Sequence, residues 1–308
     1  MSSSGENKPP TTVEVARSLL SRLYPQVAAK VGEVKEIVSY DDRNYLLKEA
    51  DTGKPAYVLK VTNAEDSALE GKRKTQKKKV LNNKLTFFTF FCPGMLEGQN
   101  EMMLHLATHY RTLKVSRPLF NAHGHHIARE AFEASEKEGK APAKLFAVRL
   151  LDFVPGRRLF DYRMTPSLLA KSGDLLGRLL AAINDGRYEN GAIRNRPTGL
   201  WSLVAAPKIK QYLEDVFEES STEEEGKEKA TLVRSAVKDF EAEVLTVMDH
   251  LPKAYIHGDF NEQNILVDDD DDKDFELAVI DFGDISYSPR VFDIAIGKCH
   301  LQKITAKT

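Results

Sequence analysis

Cysteine is scarce: Cys92 and Cys299 are the two in a chain of 308 residues, which excludes a disulfide framework and fits a reducing, cytoplasmic compartment. Long hydrophobic runs are missing too. The longest, Leu85 to Cys92 with Met95 and Leu96 beyond it, falls far short of the roughly 20 residues a membrane helix needs, so no membrane partner is expected. Neither sign of charge dominates; the formal net charge of -2 argues against general nucleic-acid binding. The Ser- and Pro-rich start lacks a secretory pattern, and residues 1–11 carry too little apolar surface to offset ordering entropy, so disorder is expected there. What remains, 42% hydrophobic and 29% charged, suffices for a substantial core in one large or two small lobes.

What is present centres on His257-Gly258-Asp259-Phe260-Asn261-Glu262-Gln263-Asn264 and Ile280-Asp281-Phe282-Gly283-Asp284. An Asp five residues before an Asn, and a second Asp seventeen residues beyond that Asn at the end of the apolar run Ala278–Ile280, is the spacing phosphoryl transfer asks for. The first Asp accepts or orients the proton of the acceptor hydroxyl, while the Asn and the second Asp hold Mg²⁺ against nucleotide phosphates. Ile265–Val267 and Leu277–Ile280 read as short buried strands, forming a hairpin that would bring Asp259, Asn264 and Asp281 to one metal cluster. His257 reads as fixing the loop by hydrogen bonds rather than taking a proton. The acids Asp268–Asp272 between the strands read as a solvated turn.

The two motifs together resemble the aminoglycoside phosphotransferase (choline kinase-like) family. Ser39–Asn44, Tyr57–Lys60, Val148–Leu151 and Pro155–Arg157 are most similar to its branch whose acceptor is 5-hydroxylysine, and the likeness runs from about residue 35 to about 297 with one interruption. The resemblance implies a protein-kinase-like α+β fold: a sheet-rich lobe over 12–150, then a helical lobe over 151–308 that the family continues further, so this lobe reads as incomplete. It implies a Mg²⁺-dependent small-molecule kinase with Asp259 as catalytic base and Asn264 and Asp281 as metal ligands. The phosphate donor would be GTP (or ATP) and the acceptor an amino-acid-like small molecule; the spacing alone shows neither. A catalytically inactive nucleotide-binding or interaction protein of the same descent is the alternative.

In the first half, Val13, Val15, Ala16, Leu19, Leu20 and Leu23 recur at helical spacing behind Thr12, a natural cap. Val34–Val38, Asn44–Lys48 and Ala56–Val61 read as strands. The connection Ser39–Asn44 sits where kinases cover the phosphates, yet it has no glycine. By resemblance its backbone N–H groups with the Ser39 and Asn44 side chains would bond phosphate, and Asp41 and Asp42 would then need Mg²⁺ or Lys60 nearby to offset repulsion. Alternation places Val58 and Lys60 on one strand face and Leu59 and Val61 on the other. Lys60 is expected to meet the nucleotide phosphates and a helix Glu; the resemblance picks Glu97, with Glu101 one turn later as the fallback. Leu69-Glu70-Gly71 and Leu96-Glu97-Gly98 are identical, separated by a basic run and four phenylalanines, and residues 72–98 read as an inserted segment.

Val115–Leu119, Ile127–Phe132 and Leu145–Leu151 are expected strands, and His123, His125 and His126 an exposed turn without metal. Leu150–Gly156, including Asp152, would be the hinge whose backbone groups hold the base. Beyond it, Ser167–Ile183 reads as a helix on which Trp201, Leu203 and Val204 pack, and Tyr212–Phe217 as a short one. An acid-capped helix then runs to about Leu251, with Val233, Val237, Phe240, Val244, Val247 and Leu251 facing the core. A last helix begins at Val291 with Phe292, Ile294 and Ile296 left exposed.

Overall fold

A computed structural model describes residues 8–63, 94–132, 145–199, 201–213, 223–268 and 275–305. Period-two alternation builds the first lobe. Strands β1 (Val31–Ile37), β2 (Arg43–Glu49), β3 (Pro55–Val61), β4 (Ala128–Ala131) and β5 (Leu145–Asp152) form one antiparallel sheet in the order β1-β2-β3-β5-β4. Tyr45, Leu47, Leu59, Val61, Val148 and Leu150 point to one face, where α1 (Val13–Leu23) covers them with Ala16, Leu19, Leu20 and Leu23. Thr12 caps α1 by accepting the Val15 N–H, satisfying one of the free donors of the first turn, and α2 (Pro25–Ala28) follows. The opposite face carries Asn44, Lys60 and Arg149, cross-strand neighbours in register across β2, β3 and β5. A polar row is thereby aimed away from the helix-covered core and toward the second lobe.

The second lobe gathers around a separate core. Met102 and Leu106 of α3 (Met95–His109), Leu175, Leu179 and Ile183 of α4 (Pro166–Ile183) and Ile193 of α5 (Gly191–Arg194) pack with Phe260, Ile265, Val267, Val279 and Phe282. Thr165 caps α4. A three-stranded sheet, β6 (Arg157–Arg158), β8 (Ile265–Asp268) and β9 (Glu276–Val279), contains the expected hairpin, and β7 (Lys253–Ile256) pairs with β10 (Ser286–Pro289). The last helices are α6 (Glu223–Glu243) and α7 (Val291–Thr305). Among the described residues no helix is long and apolar enough to cross a membrane.

Several expectations change. Residues 8–11 are pinned: Thr11 is buried and receives the Tyr45 hydroxyl, Arg43 Nε donates to the Pro9 carbonyl, and Lys8 Nζ donates to the Ser39 carbonyl. Residues 1–7 lie outside the described residues. Val115–Leu119 is not a strand; Lys114 bridges Ala278 and Pro118 bridges Leu151 singly, because Pro118 has no N–H for a ladder and the segment crosses between lobes. Trp201 does not pack on α4. It is 70% exposed, with its ring edge-on to Tyr40 at 6.2 Å. Leu203–Tyr212 is a 3₁₀ run with Pro207 inside it, and the short helix expected up to Phe217 lies, past Leu213, outside the described residues. The helix expected to reach Leu251 ends at Glu243, and a 3₁₀ turn over Leu245–His250 leaves Val247 exposed. Phe292 is buried beside Phe240, whereas Ile294 is exposed.

The segment read as inserted is not separable at its end. Met95 and Leu96 are buried in the first turn of α3, and a side chain on Gly98 would collide with Ile193 and Asn190; residues 72–93 lie outside the described residues. Deleting 72–98 nevertheless restores the same three residues, Leu69-Glu70-Gly71, ahead of Gln99. We expect that deletion to keep the helical circular dichroism and melting temperature of the parent. A fall in melting temperature of more than about 5 °C, a loss of about 2 kcal/mol or more for a chain of this size, would make the segment structural.

Candidate active site

The loop after β7 is held from behind by a single acid. Asp293, wholly buried on α7, accepts the His257 N–H at 2.7 Å and the Gly258 N–H at 2.8 Å. His257, also wholly buried, accepts the Asp259 N–H on Nδ1 at 3.3 Å and places Nε2 3.1 Å from the Ile280 carbonyl. His257 thereby ties together the loops carrying Asp259 and Asp281. Gly258 has φ +82, and a Cβ there would overlap the Asp284 carbonyl, so both conformation and space require glycine between His257 and Asp259.

Asp259 is gripped by two amides. Its Oδ1 accepts from Asn261 Nδ2 at 2.6 Å and its Oδ2 from Asn264 Nδ2 at 2.7 Å. Asn264 also donates to the Asp259 carbonyl, while Asn261 Oδ1 receives the Gln263 and Asn264 N–H groups. Burial raises the Asp259 carboxyl above its usual range, against the amide of Asn261, which favours the charged form.

Asp281 follows β9 in a left-handed conformation, φ 63, the only such non-glycine among the described residues. Strain of this kind persists where surrounding contacts over-determine it. Here Asp281 Oδ1 accepts the Gly283 N–H, and the loop beyond is latched by Arg196, which donates to the Gly283 and Ile285 carbonyls at 2.8 and 2.9 Å. Arg196 also meets Asp284 at 3.4 Å, whose carboxyl burial pushes upward against that guanidinium.

Across the cleft, Lys60 Nζ lies 2.9 Å from Asp42 and 3.8 Å from Asp281. Burial works against the ammonium, but the Asp281 and Asp42 carboxylates outweigh it and raise Lys60 above its ordinary value. Reciprocally, the Lys60 ammonium holds the Asp281 carboxyl below the usual carboxylate range, keeping it in the ionised form a metal requires. The Asn264 side-chain oxygen and the Asp281 carboxylate fit a Mg²⁺ that takes its other ligands from phosphates and water, as this ion does. No cluster of three His, Cys, Asp or Glu residues among the described residues could hold an ion alone.

Asp259, Asn264, Asp281 and Lys60 therefore converge, and Asn44 stands beside Lys60 with its buried Oδ1 unbonded among the described residues. Other expected residues are placed differently. Glu97 bridges to Arg129 at 3.0 Å rather than to Lys60, and Glu101 accepts from Asn190. The inward residues of that helix are Gln99 and Asn100, which take the buried Arg149; Gln99 also donates to the Gly283 carbonyl. Asp152 pairs with Arg117 through both its carboxylate and its N–H, while Ser39 offers its carbonyl to Lys8. Asp42, Asn261, Arg196 and Asp293 were not singled out as site residues. For Asp293 a signal existed: an acid within Val291-Phe292-Asp293-Ile294-Ala295-Ile296 has to bury its charge against donors. Asp293→Ala would strand two buried N–H groups at about 1–3 kcal/mol each. A melting temperature unchanged from the parent would show that Asp293 does not carry this loop.

A five-stranded antiparallel sheet over a helical lobe, with an acid-bearing loop and a strand-end Asp facing a sheet lysine, is the protein-kinase-like fold. The phosphotransferase enzyme family matches residues 33–298, and the chain belongs to that family. Hydroxylysine kinase of Mus musculus is 24% identical over 300 residues, covering 94% of this chain and 69% of that protein. Hydroxylysine kinase of Bos taurus is 26% identical over 278 residues, covering 87% and 64%. Of solved structures, a spectinomycin phosphotransferase in complex with ADP and spectinomycin superposes with TM-score 0.53 at 12% identity, covering 96% of this chain and 79% of the other. An amicoumacin kinase in complex with AMP-PNP and Ca²⁺ superposes with TM-score 0.51 at 14% identity, covering 92% and 71%.

Proposed function

We propose that this phosphotransferase moves the γ-phosphoryl group of a nucleoside triphosphate, GTP in the first instance, to the hydroxyl of an amino-acid-like acceptor, 5-hydroxy-L-lysine. The observation that carries the reading is the Asp259 carboxylate, fixed by Asn261 and Asn264 on a loop anchored by Asp293 and facing the Lys60–Asp281 pair across the cleft. Asp259 takes the hydroxyl proton as the oxygen bonds to phosphorus and the bond to the bridging oxygen breaks, releasing the diphosphate. Lys60 neutralises phosphate charge from the sheet. Asn264 and Asp281 would hold a Mg²⁺ ion, which would supply further neutralisation of the phosphates. The hydroxylysine kinase relatives support the acceptor; the choice of GTP rests on the same likeness.

The test is incubation of the purified chain with Mg²⁺, 5-hydroxylysine and either GTP or ATP, following the phosphorylated amino acid by ³¹P NMR and mass spectrometry. Phosphohydroxylysine that forms faster with GTP supports the whole reading. Faster formation with ATP corrects the donor, and transfer to a different hydroxyl compound corrects the acceptor. Nucleotide-dependent thermal stabilisation without transfer to any acceptor would reject catalysis in favour of binding alone.

A further inference from the structure

We propose that Asp42, in the glycine-free connection before β2, is the carboxylate that positions Lys60 for the donor's phosphates, the task a helix glutamate was expected to perform. The inference rests on Lys60 being the phosphate contact. Asp42 Oδ2 lies 2.9 Å from Lys60 Nζ, and its Oδ1 accepts both the Asn63 N–H at 2.8 Å and Asn63 Nδ2 at 3.1 Å. Its side chain is 13% exposed. A carboxylate bound by these donors has little freedom, and they come from Lys60 itself and from the residue two beyond the end of β3. Asp42, Lys60 and Asn63 therefore form one rigid unit at the β2–β3 edge, where Arg43 pairs with Val61.

The helix offers Lys60 no carboxylate among its described residues. Glu97 is spent on Arg129 and Glu101 on Asn190, while Gln99 and Asn100 bring neutral oxygens to Arg149. Arg149 is buried directly across the strand pair from Lys60, so two cations lie side by side and an anion beside Lys60 is needed. Asp281 stands farther away, at 3.8 Å, on the other lobe. Asp42 is not a displaceable stand-in for phosphate. One of its oxygens is committed to Asn63, and Lys60, with three ammonium protons, keeps donors for a nucleotide.

Asp42→Asn preserves shape and an acceptor for the Asn63 N–H but removes the charge. We expect its KM and Kd for the nucleotide to rise on the order of 10-fold, alongside a lower melting temperature, since Lys60 is left with only the more distant Asp281 as its anion. Lys60→Met should weaken binding at least as much, and Lys60→Met with Asp42→Asn should be no weaker than Lys60→Met alone, since a residue acting through Lys60 has nothing left to act on. Asp42→Glu, which keeps the charge one methylene farther out, should recover part of the affinity and serves if Asp42→Asn folds poorly. Unchanged or tighter binding in Asp42→Asn, additive losses in the double variant, or no recovery in Asp42→Glu overturns the inference. So does a rise in KM in Glu97→Gln with none in Asp42→Asn. If Lys60→Met itself leaves nucleotide affinity intact, the reading of Lys60 as phosphate contact fails and this inference with it. A loss confined to Lys60→Met sinks the role of Asp42 alone.

Discussion

Replacing Asp259 by Ala should cut turnover by on the order of 10²-fold or more, the range of a general-base contribution, while nucleotide affinity stays within a few-fold of the parent. The affinity should hold because Asp259 contacts amides of its own loop, Asn261 and Asn264, and is assigned no phosphate. Asp259→Asn should lose as much turnover but is the less clean variant. Both Asp259 oxygens accept from an amide NH₂, so an Asn puts its own NH₂ against a donor. Asn261 cannot turn to relieve this, since its Oδ1 already receives two backbone N–H groups. Asn264 could turn only by giving up its bond to the Asp259 carbonyl and withdrawing the oxygen assigned to the metal. Asp259→Asn should therefore weaken Mg²⁺-nucleotide binding more than Asp259→Ala does.

The pH profile supplies an independent check. Burial raises the Asp259 carboxyl, so the acid limb of kcat/KM should lie above the ordinary carboxylate range. As pH falls through that raised value the carboxylate gains a proton and can no longer accept one from the hydroxyl. The limb should vanish from whatever residual activity Asp259→Ala retains. Near-normal turnover in Asp259→Ala, or an unaltered acid limb, would remove Asp259 from the role of base.

What could be read from the sequence was what local chemistry decides. Alternation in Tyr57–Val61 put Lys60 and Leu59 on the faces they occupy, and the Thr12 cap is where a cap was expected. The hairpin carrying Asn264 and Asp281 is marked by two short apolar runs within some twenty residues, and it pairs as Ile265–Asp268 with Glu276–Val279. Contacts set by how an element rotates, or by distant partners, were not readable. Which of Glu97, Gln99 and Glu101 turns inward depends on the roll of α3, where Gly98 packs against Ile193 and the hydroxyl of Tyr188 donates to the Gly98 carbonyl. Asp293 reaches a loop 36 residues earlier. The need of Asp42 for a nearby cation was legible as electrostatics, since adjacent acids in a phosphate loop repel their ligand. That Lys60 itself meets the need follows from the β2–β3 register.

Asp281→Asn should produce the other large effect, in binding as well as turnover. Asn is the right replacement because Asp281 sits at φ 63, a conformation Asn adopts as readily as Asp and Ala does not. The Gly283 N–H can still donate to its side-chain oxygen, so the loop latched by Arg196 should keep its shape. What goes is a negative charge 3.8 Å from Lys60 Nζ. The metal would lose the carboxylate proposed to hold it, and Lys60 would keep Asp42 as its anionic partner. Nucleotide affinity measured without Mg²⁺ should therefore change little, whereas the gain in affinity on adding Mg²⁺ should largely disappear and turnover should fall at least 10²-fold, the size of effect that follows loss of charge stabilisation at a transferring phosphoryl group. Titration of nucleotide into parent and variant, each with and without Mg²⁺, separates the two contributions. A Mg²⁺-dependent gain that survives in Asp281→Asn would move the metal off Asp281 and onto the phosphates and Asn264. An equal loss of affinity in the absence of Mg²⁺ would mean that Asp281 acts on the nucleotide through Lys60, placing the primary effect on the sheet side of the cleft.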